Sequence, residues 1–156
     1  MKLSLKDFQD EAVDQLVGLA GRARADALER EPQTLTLAAP TGSGKTVIAT
    51  QWMERIIAGD EEHPPDPMAT FLWITDQPEL NEQTRRKVLA SSTIFSEASL
   101  VTVGATFDQE MFSPGTIYFL NTQKLGKNSL LTRGHDTYAD AAAHGQDTLP
   151  EIRPDG

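Results

Sequence analysis

Apolar residues recur at three- and four-residue steps near the start of the chain, at Phe8, Ala12, Leu16, Leu19, Ala23 and Ala27. This period predicts an amphipathic helix. Ser4-Leu5-Lys6-Asp7 has the S-x-x-D form of a capping box that would open it, and Pro32 closes it. The pattern then changes. Thr34 to Ala38 is a short β-branched and apolar run that predicts a strand. Residues from about Gly44 to Ala58 return to helical spacing, with Gly59 as terminator. Gly59 to Pro67 is rich in acids and prolines and predicts an exposed loop.

Ala69 to Thr75 is a nearly continuous apolar run, the form of a strand buried on both faces. Pro78 suits the first turn of a helix, with Glu79 and Glu82 near its positive end, running to about Leu89. Ser99 to Val103 is a third strand candidate. Gly115 to Leu120 is a fourth, entered through the Pro114-Gly115 turn. Strands alternating with helices predict an α/β fold, a parallel sheet with helices on both faces. After about Tyr138 the pattern dissolves. Residues 1–138 are therefore expected to form one domain, with 139–156 an irregular tail or linker. Four strands without a closing helix predict an incomplete sheet domain.

A length of 156 residues suits one domain with a real core. The chain has no cysteine, which excludes a disulfide framework and thiolate metal sites and fits a reducing cytoplasm. No apolar run approaches the roughly 18 residues of a membrane span, and the N-terminus lacks a signal-peptide core. The formal net charge of −9 argues against nucleic-acid binding through a general basic field, though not against a few placed phosphate contacts.

The densest chemistry lies between the first strand candidate and the next helix, at Ala39-Pro40-Thr41-Gly42-Ser43-Gly44-Lys45-Thr46. This is G-x-x-x-x-G-K-[ST] with alanine at the first glycine. Gly42 and Gly44 let the backbone turn its N–H groups inward. Those donors and the following helix N-terminus make a concave anion site. Lys45 can reach the β- and γ-phosphates, and the Thr46 hydroxyl can hold one position of Mg²⁺. The bland alternative is a glycine-rich turn, but a strand before and a helix after are the context the motif requires. A dinucleotide fingerprint fails because Val47 stands where its third glycine belongs.

This spelling of the loop resembles the first motor domain of superfamily 2 helicases and translocases. The DEAD/DEAH-type fold in restriction subunits of type III restriction enzymes is the nearest variant. Three more segments carry the resemblance, which spans about Leu5 to Leu131. Phe8-Gln9 at a helix start is similar to the family's glutamine motif and implies Gln9 as the adenine reader, since an amide can pair with N6 and N7. Thr75 to Thr84 and Asn121-Thr122-Gln123-Lys124-Leu125 resemble the segments that touch the nucleic-acid backbone, implying Thr75, Gln77, Asn121 and Gln123 as contacts. Strand-to-helix loop chemistry is the alternative for both.

The resemblance implies a P-loop, RecA-like sheet flanked by helices, with ATP and Mg²⁺ as cofactors. It also implies nucleic acid, DNA favoured, as partner in a longer parent, possible modification or nuclease subunits, and no membrane. ATP would lie against Gln9, Pro40, Thr41, Gly42, Ser43, Gly44, Lys45 and Thr46, with Mg²⁺ on Thr46. The family's Asp-Glu-x-His-type motif, which holds Mg²⁺ and polarises water, follows the fourth segment after a further helix and strand. This chain is read as carrying none, and as lacking the second motor domain with its arginine fingers, worth about 10³–10⁵ in rate. It is therefore expected to be an N-terminal fragment that binds ATP and hydrolyses it poorly.

Other candidates weigh less. Asp76 ends an apolar strand as a magnesium-holding acid would, but Gln77 follows it instead of a second acid. Asn121-Thr122-Gln123-Lys124 lacks the Asn-Lys-x-Asp order of a GTPase. His63, His135 and His144 have no metal-site spacing. Thr132 to Thr137 is a polar loop or a turn. Arg85, Arg86 and Lys87 read as a solvated helix face, and Trp52 and Trp73 as core. A non-catalytic nucleotide-binding or interaction module is the second reading, and a small P-loop kinase the third.

Overall fold

A computed structural model describes residues 4–104 and 107–122. The elements are α1 (Asp7–Leu28), α2 (Lys45–Ala58), β1 (Phe71–Thr75), α3 (Pro78–Ser91), a 3-10 turn at Glu97–Ser99, β2 (Leu100–Thr102) and β3 (Ile117–Asn121). The strands form one sheet in the order β1-β3-β2. Both pairings are parallel, with Phe71 opposite Ile117, Thr75 opposite Asn121, and Leu100 opposite Ile117. β3 is central and buried at every position, so its sequence is apolar without alternation.

Ile117 and Phe119 of β3 face the main core. Met53 from α2, Val88 from α3, Phe95 and Leu100 pack there, and Phe71 and Trp73 of β1 extend the same face. α1 lies outside α2, with Val13 and Val17 against Ile48. α2 and α3 are also joined by a buried carboxylate. Glu54 accepts hydrogen bonds from the Ser92 hydroxyl at 2.5 Å and from the N–H groups of Thr93 at 2.7 Å and Ile94 at 3.1 Å. Three donors on one carboxylate offset its removal from water. Pro78 takes the first turn of α3, and Gly59 ends α2 at φ 72° with its N–H on the Arg55 carbonyl.

Four expectations change. α1 starts at Asp7 with Lys6 as its N-cap, later than a cap at Ser4 implies. Gln9 decides this: its Oε1 accepts the Lys6 N–H at 3.1 Å and so closes the helix end. Thr34 to Ala38 is not a strand. A cleft of about 500 Å³, lined by Gln33, Leu35, Trp52, Ala69 and Phe71, separates this stretch from β1, and a strand requires a ladder partner. Leu37 packs instead on the α1–α2 core.

β1 is not buried on both faces. Phe71 and Trp73 turn to the core, while Leu72 and Ile74 remain 47% and 49% exposed. The helices that touch the sheet, α2 and α3, share the Ile117–Phe119 face. The opposite face of β3 is covered by a loop, with Phe107 and Phe112 around Tyr118 at ring separations of 5.8 and 4.5 Å. Among the described residues, then, helices cover one face of the sheet and not both. None of these helices is long and apolar enough to cross a membrane.

Candidate nucleotide site

α2 leaves the loop at Lys45 and descends until Ile56 stands near Ala69 to Phe71, where β1 begins. β1 then rises in the opposite direction. The N-terminus of α2 and the carboxyl end of β1 therefore share one end of the molecule, the end where ligands bind in parallel α/β sheets.

The loop before α2 has the backbone the motif demands. Gly42 and Gly44 have φ of 83° and 85°, the left-handed region that disfavours a side chain. Gly44 is the N-cap of α2, and its carbonyl takes the first helical bond, from Ile48 N–H at 3.0 Å. The N–H groups from Gly44 to Val47 thus have no acceptor within the helix. They add to the positive end of the helix dipole. Ser43 N–H donates to the Pro40 carbonyl at 3.2 Å, which tightens the turn over Pro40, Thr41 and Gly42. The Lys45 ammonium is exposed and folds back on the loop, 2.7 Å from the Ala39 carbonyl and 3.0 Å from the Pro40 carbonyl. Thr46 is half-buried in the first turn of α2, where its carbonyl accepts the Thr50 hydroxyl at 2.8 Å.

Gln9 is brought to this loop although it lies far away in sequence. It is 9% exposed, and its Nε2 donates to the Ser43 carbonyl at 2.9 Å. Both polar atoms of this amide therefore bond within the chain, one to Lys6 and one to Ser43. Nothing in the side-chain pattern signals this link, because its acceptor is a backbone carbonyl.

Thr75 and Asn121 stand side by side at the carboxyl ends of β1 and β3. The Thr75 hydroxyl lies 2.9 Å from the Gln77 carbonyl and 2.9 Å from Asn81 Oδ1, and shares its proton between them. Asn81, 7% exposed, carries no conspicuous motif, yet it ties α3 to the end of β1. Gln77 is exposed and is the N-cap of α3. Asn121 is 7% exposed. Gln123, Lys124, Leu125, Thr132 to Thr137, His135, His144 and the expected tail lie outside the described residues.

One expectation needs direct correction. Asp60-Glu61-Glu62-His63 does spell Asp-Glu-x-His. It stands in the turn after α2, not behind an apolar strand. The Asp60 carboxylate accepts N–H groups from Glu62 and His63 at 2.9 and 2.8 Å, and His63 Nδ1 lies 2.9 Å away. The hydrogen bond from the His63 side chain is the main cause that holds the Asp60 carboxyl below its ordinary value. α2 has 14 residues. At ~1.5 Å per residue this turn is about 20 Å from the phosphate loop. The string is present, but it is placed to close a helix and not to serve a phosphate.

Comparison with known families gives one result. The family described as type III restriction enzyme, res subunit, matches residues 2–148. No curated protein and no solved structure matches the chain. The match covers well over half of the 156 residues, and the chain belongs to that family. Its fold is accordingly of the P-loop α/β class, and its domain is of the helicase-type ATPase motor kind.

Proposed function

We propose that this member of the res-subunit family binds ATP with Mg²⁺ through Pro40, Thr41, Gly42, Ser43, Gly44, Lys45 and Thr46, and so supplies the nucleotide grip of a nucleic-acid-dependent ATPase. One observation carries the reading. Two left-handed glycines flank Ser43 directly before the open N-terminus of α2, with the exposed Lys45 at its first position. This concentrates unpaired N–H donors, a helix dipole and a cation at one point, the combination a polyphosphate requires.

Lys45 would exchange two neutral carbonyls for charged phosphate oxygens, a stronger partner. The Thr46 hydroxyl fits as one oxygen ligand of Mg²⁺, whose charge neutralises the phosphates when bound. Nucleic acid, DNA favoured, would run over the same end of the sheet, where Gln77 and the N-terminus of α3 can donate to a phosphate. Thr75 and Asn121 take part by shaping that end. ATP hydrolysis coupled to movement on nucleic acid is the activity in which this grip would take part.

Titration of the chain with a fluorescent ATP analogue tests the grip. Lys45→Ala should raise Kd by about 10- to 100-fold, the worth of a hydrogen bond to a charged group. Equal Kd for the variant and the parent chain would overturn the assignment.

A further inference from the structure

We propose that Gln9 is a positioning residue for phosphate binding, a latch from the first turn of α1 that aims the Gly44 N–H at the ligand. The proposal rests on the phosphate-loop reading above and adds a determinant outside the motif.

The geometry leaves the amide one orientation. Its Oε1 faces a donor, the Lys6 N–H at 3.1 Å, and its Nε2 faces an acceptor, the Ser43 carbonyl at 2.9 Å. Exchanging the two ends would set donor on donor and acceptor on acceptor. The Lys6 bond is also the bond that closes α1. The helix end therefore fixes where Nε2 sits, and Nε2 fixes the direction of the Ser43 carbonyl.

The next step follows from the peptide unit. Among the described residues no peptide bond is cis, so the Ser43 C=O and the Gly44 N–H point in opposite directions across one plane. Holding the carbonyl toward α1 turns the Gly44 N–H away from α1. Gly44 is the N-cap of α2, where an N–H has no intrahelical acceptor and serves an anion. Gln9 thus sets the aim of a phosphate donor without touching the phosphate.

The same contact adds a reason for glycine at position 44. A Cβ there would lie 2.5 Å from Gln9 Nε2, in addition to the strain of φ 85°. Latch and glycine therefore form a pair. A side chain at 44 would push the amide off the carbonyl it holds.

This role makes a prediction that base recognition does not. A latch acts on the phosphates, so its loss should weaken every ligand that carries them. The test compares the parent chain with Gln9→Met, which keeps the length and removes the donor. ATP, GTP and inorganic tripolyphosphate serve as ligands by calorimetry. We expect Kd to rise by about tenfold for all three, with an altered Gly44 amide resonance and an unaltered Val13 amide resonance. A loss confined to ATP would assign Gln9 to the base and overturn the latch, as would unchanged Kd for all three ligands. If Gln9→Met fails to fold, Gln9→Ala is used with the same readouts. Lys45→Ala runs in parallel. If it leaves tripolyphosphate binding intact, the phosphate-loop reading itself fails, whatever Gln9 does.

Discussion

The stretch entering α2 and the strand entering α3 both deliver a loop to a helix N-terminus at the same end of the molecule. They are secured differently. Thr75, at the second crossing, ends a strand that pairs with β3 along its whole length, from Phe71 to Thr75. The first crossing has no ladder. It is held by side chains, with Gln9 on the Ser43 carbonyl and Lys45 on the carbonyls of Ala39 and Pro40. A ladder repeats its bonds and rests on core burial, whereas the Lys45 ammonium can exchange its two carbonyls for an anionic ligand while Gln9 keeps its hold on the Ser43 carbonyl. The first crossing thus combines one exchangeable contact with one fixed contact, and the end of β1 at Thr75 is built on the core.

The largest effect should come from the foundation of the second crossing. Phe119 is fully buried in β3 and packs against Trp73 of β1 at a ring separation of 6.4 Å. Phe119→Ala should cost about 3–5 kcal/mol, because it removes burial and leaves a cavity. Urea unfolding followed by circular dichroism measures this. A cost under about 1 kcal/mol would break the comparison, since β1 would then not depend on the central strand.

Next in size is the joint between β1 and α3. Thr75→Val keeps the shape and removes the hydroxyl shared by Gln77 and Asn81. The buried Asn81 amide would lose a partner, a cost of about 1–3 kcal/mol. The same unfolding assay reads it. If stability is unchanged while oligonucleotide binding falls, Thr75 acts directly on nucleic acid and the second crossing is not a purely internal joint.

How much of this was legible depends on where the determining interaction lies. α2 and α3 were legible because Gly59 and Pro78 mark their ends chemically and locally. The turn before α2 was legible because Gly42 and Gly44 are needed by its own backbone. The absence of a strand at Thr34 to Ala38 was not, because strand formation depends on a partner elsewhere and its β-branched pattern carries no record of one. The exposure of Leu72 and Ile74 was hidden for the same reason: an apolar run states what a strand can bury, not what covers it. The Gln9–Ser43 link joins a side chain to a backbone carbonyl, so only half of it has a signature in the sequence. At Asp60 to His63 the letters were present and only their place in space shows that they sit at the far end of α2.

That far end gives the smallest effect and the sharpest separation. The Asp60 pKa is lowered in the folded chain, first by the His63 side-chain hydrogen bond. A lowered carboxylate pKa contributes stability above its unfolded value, and that contribution fades as pH falls through the folded value. Asp60 is solvent-exposed, so the contribution is screened and small. Asp60→Asn should therefore lower the midpoint of thermal unfolding slightly near pH 7, and the difference should vanish once acid protonates Asp60. Tripolyphosphate affinity should not change, because the length of α2 separates this turn from the loop. If Asp60→Asn instead weakened phosphate binding as Lys45→Ala does, Asp60-Glu61-Glu62-His63 would act at the nucleotide after all. The grip would then extend beyond the first crossing, and α2 would have to be a connection between two halves of a site.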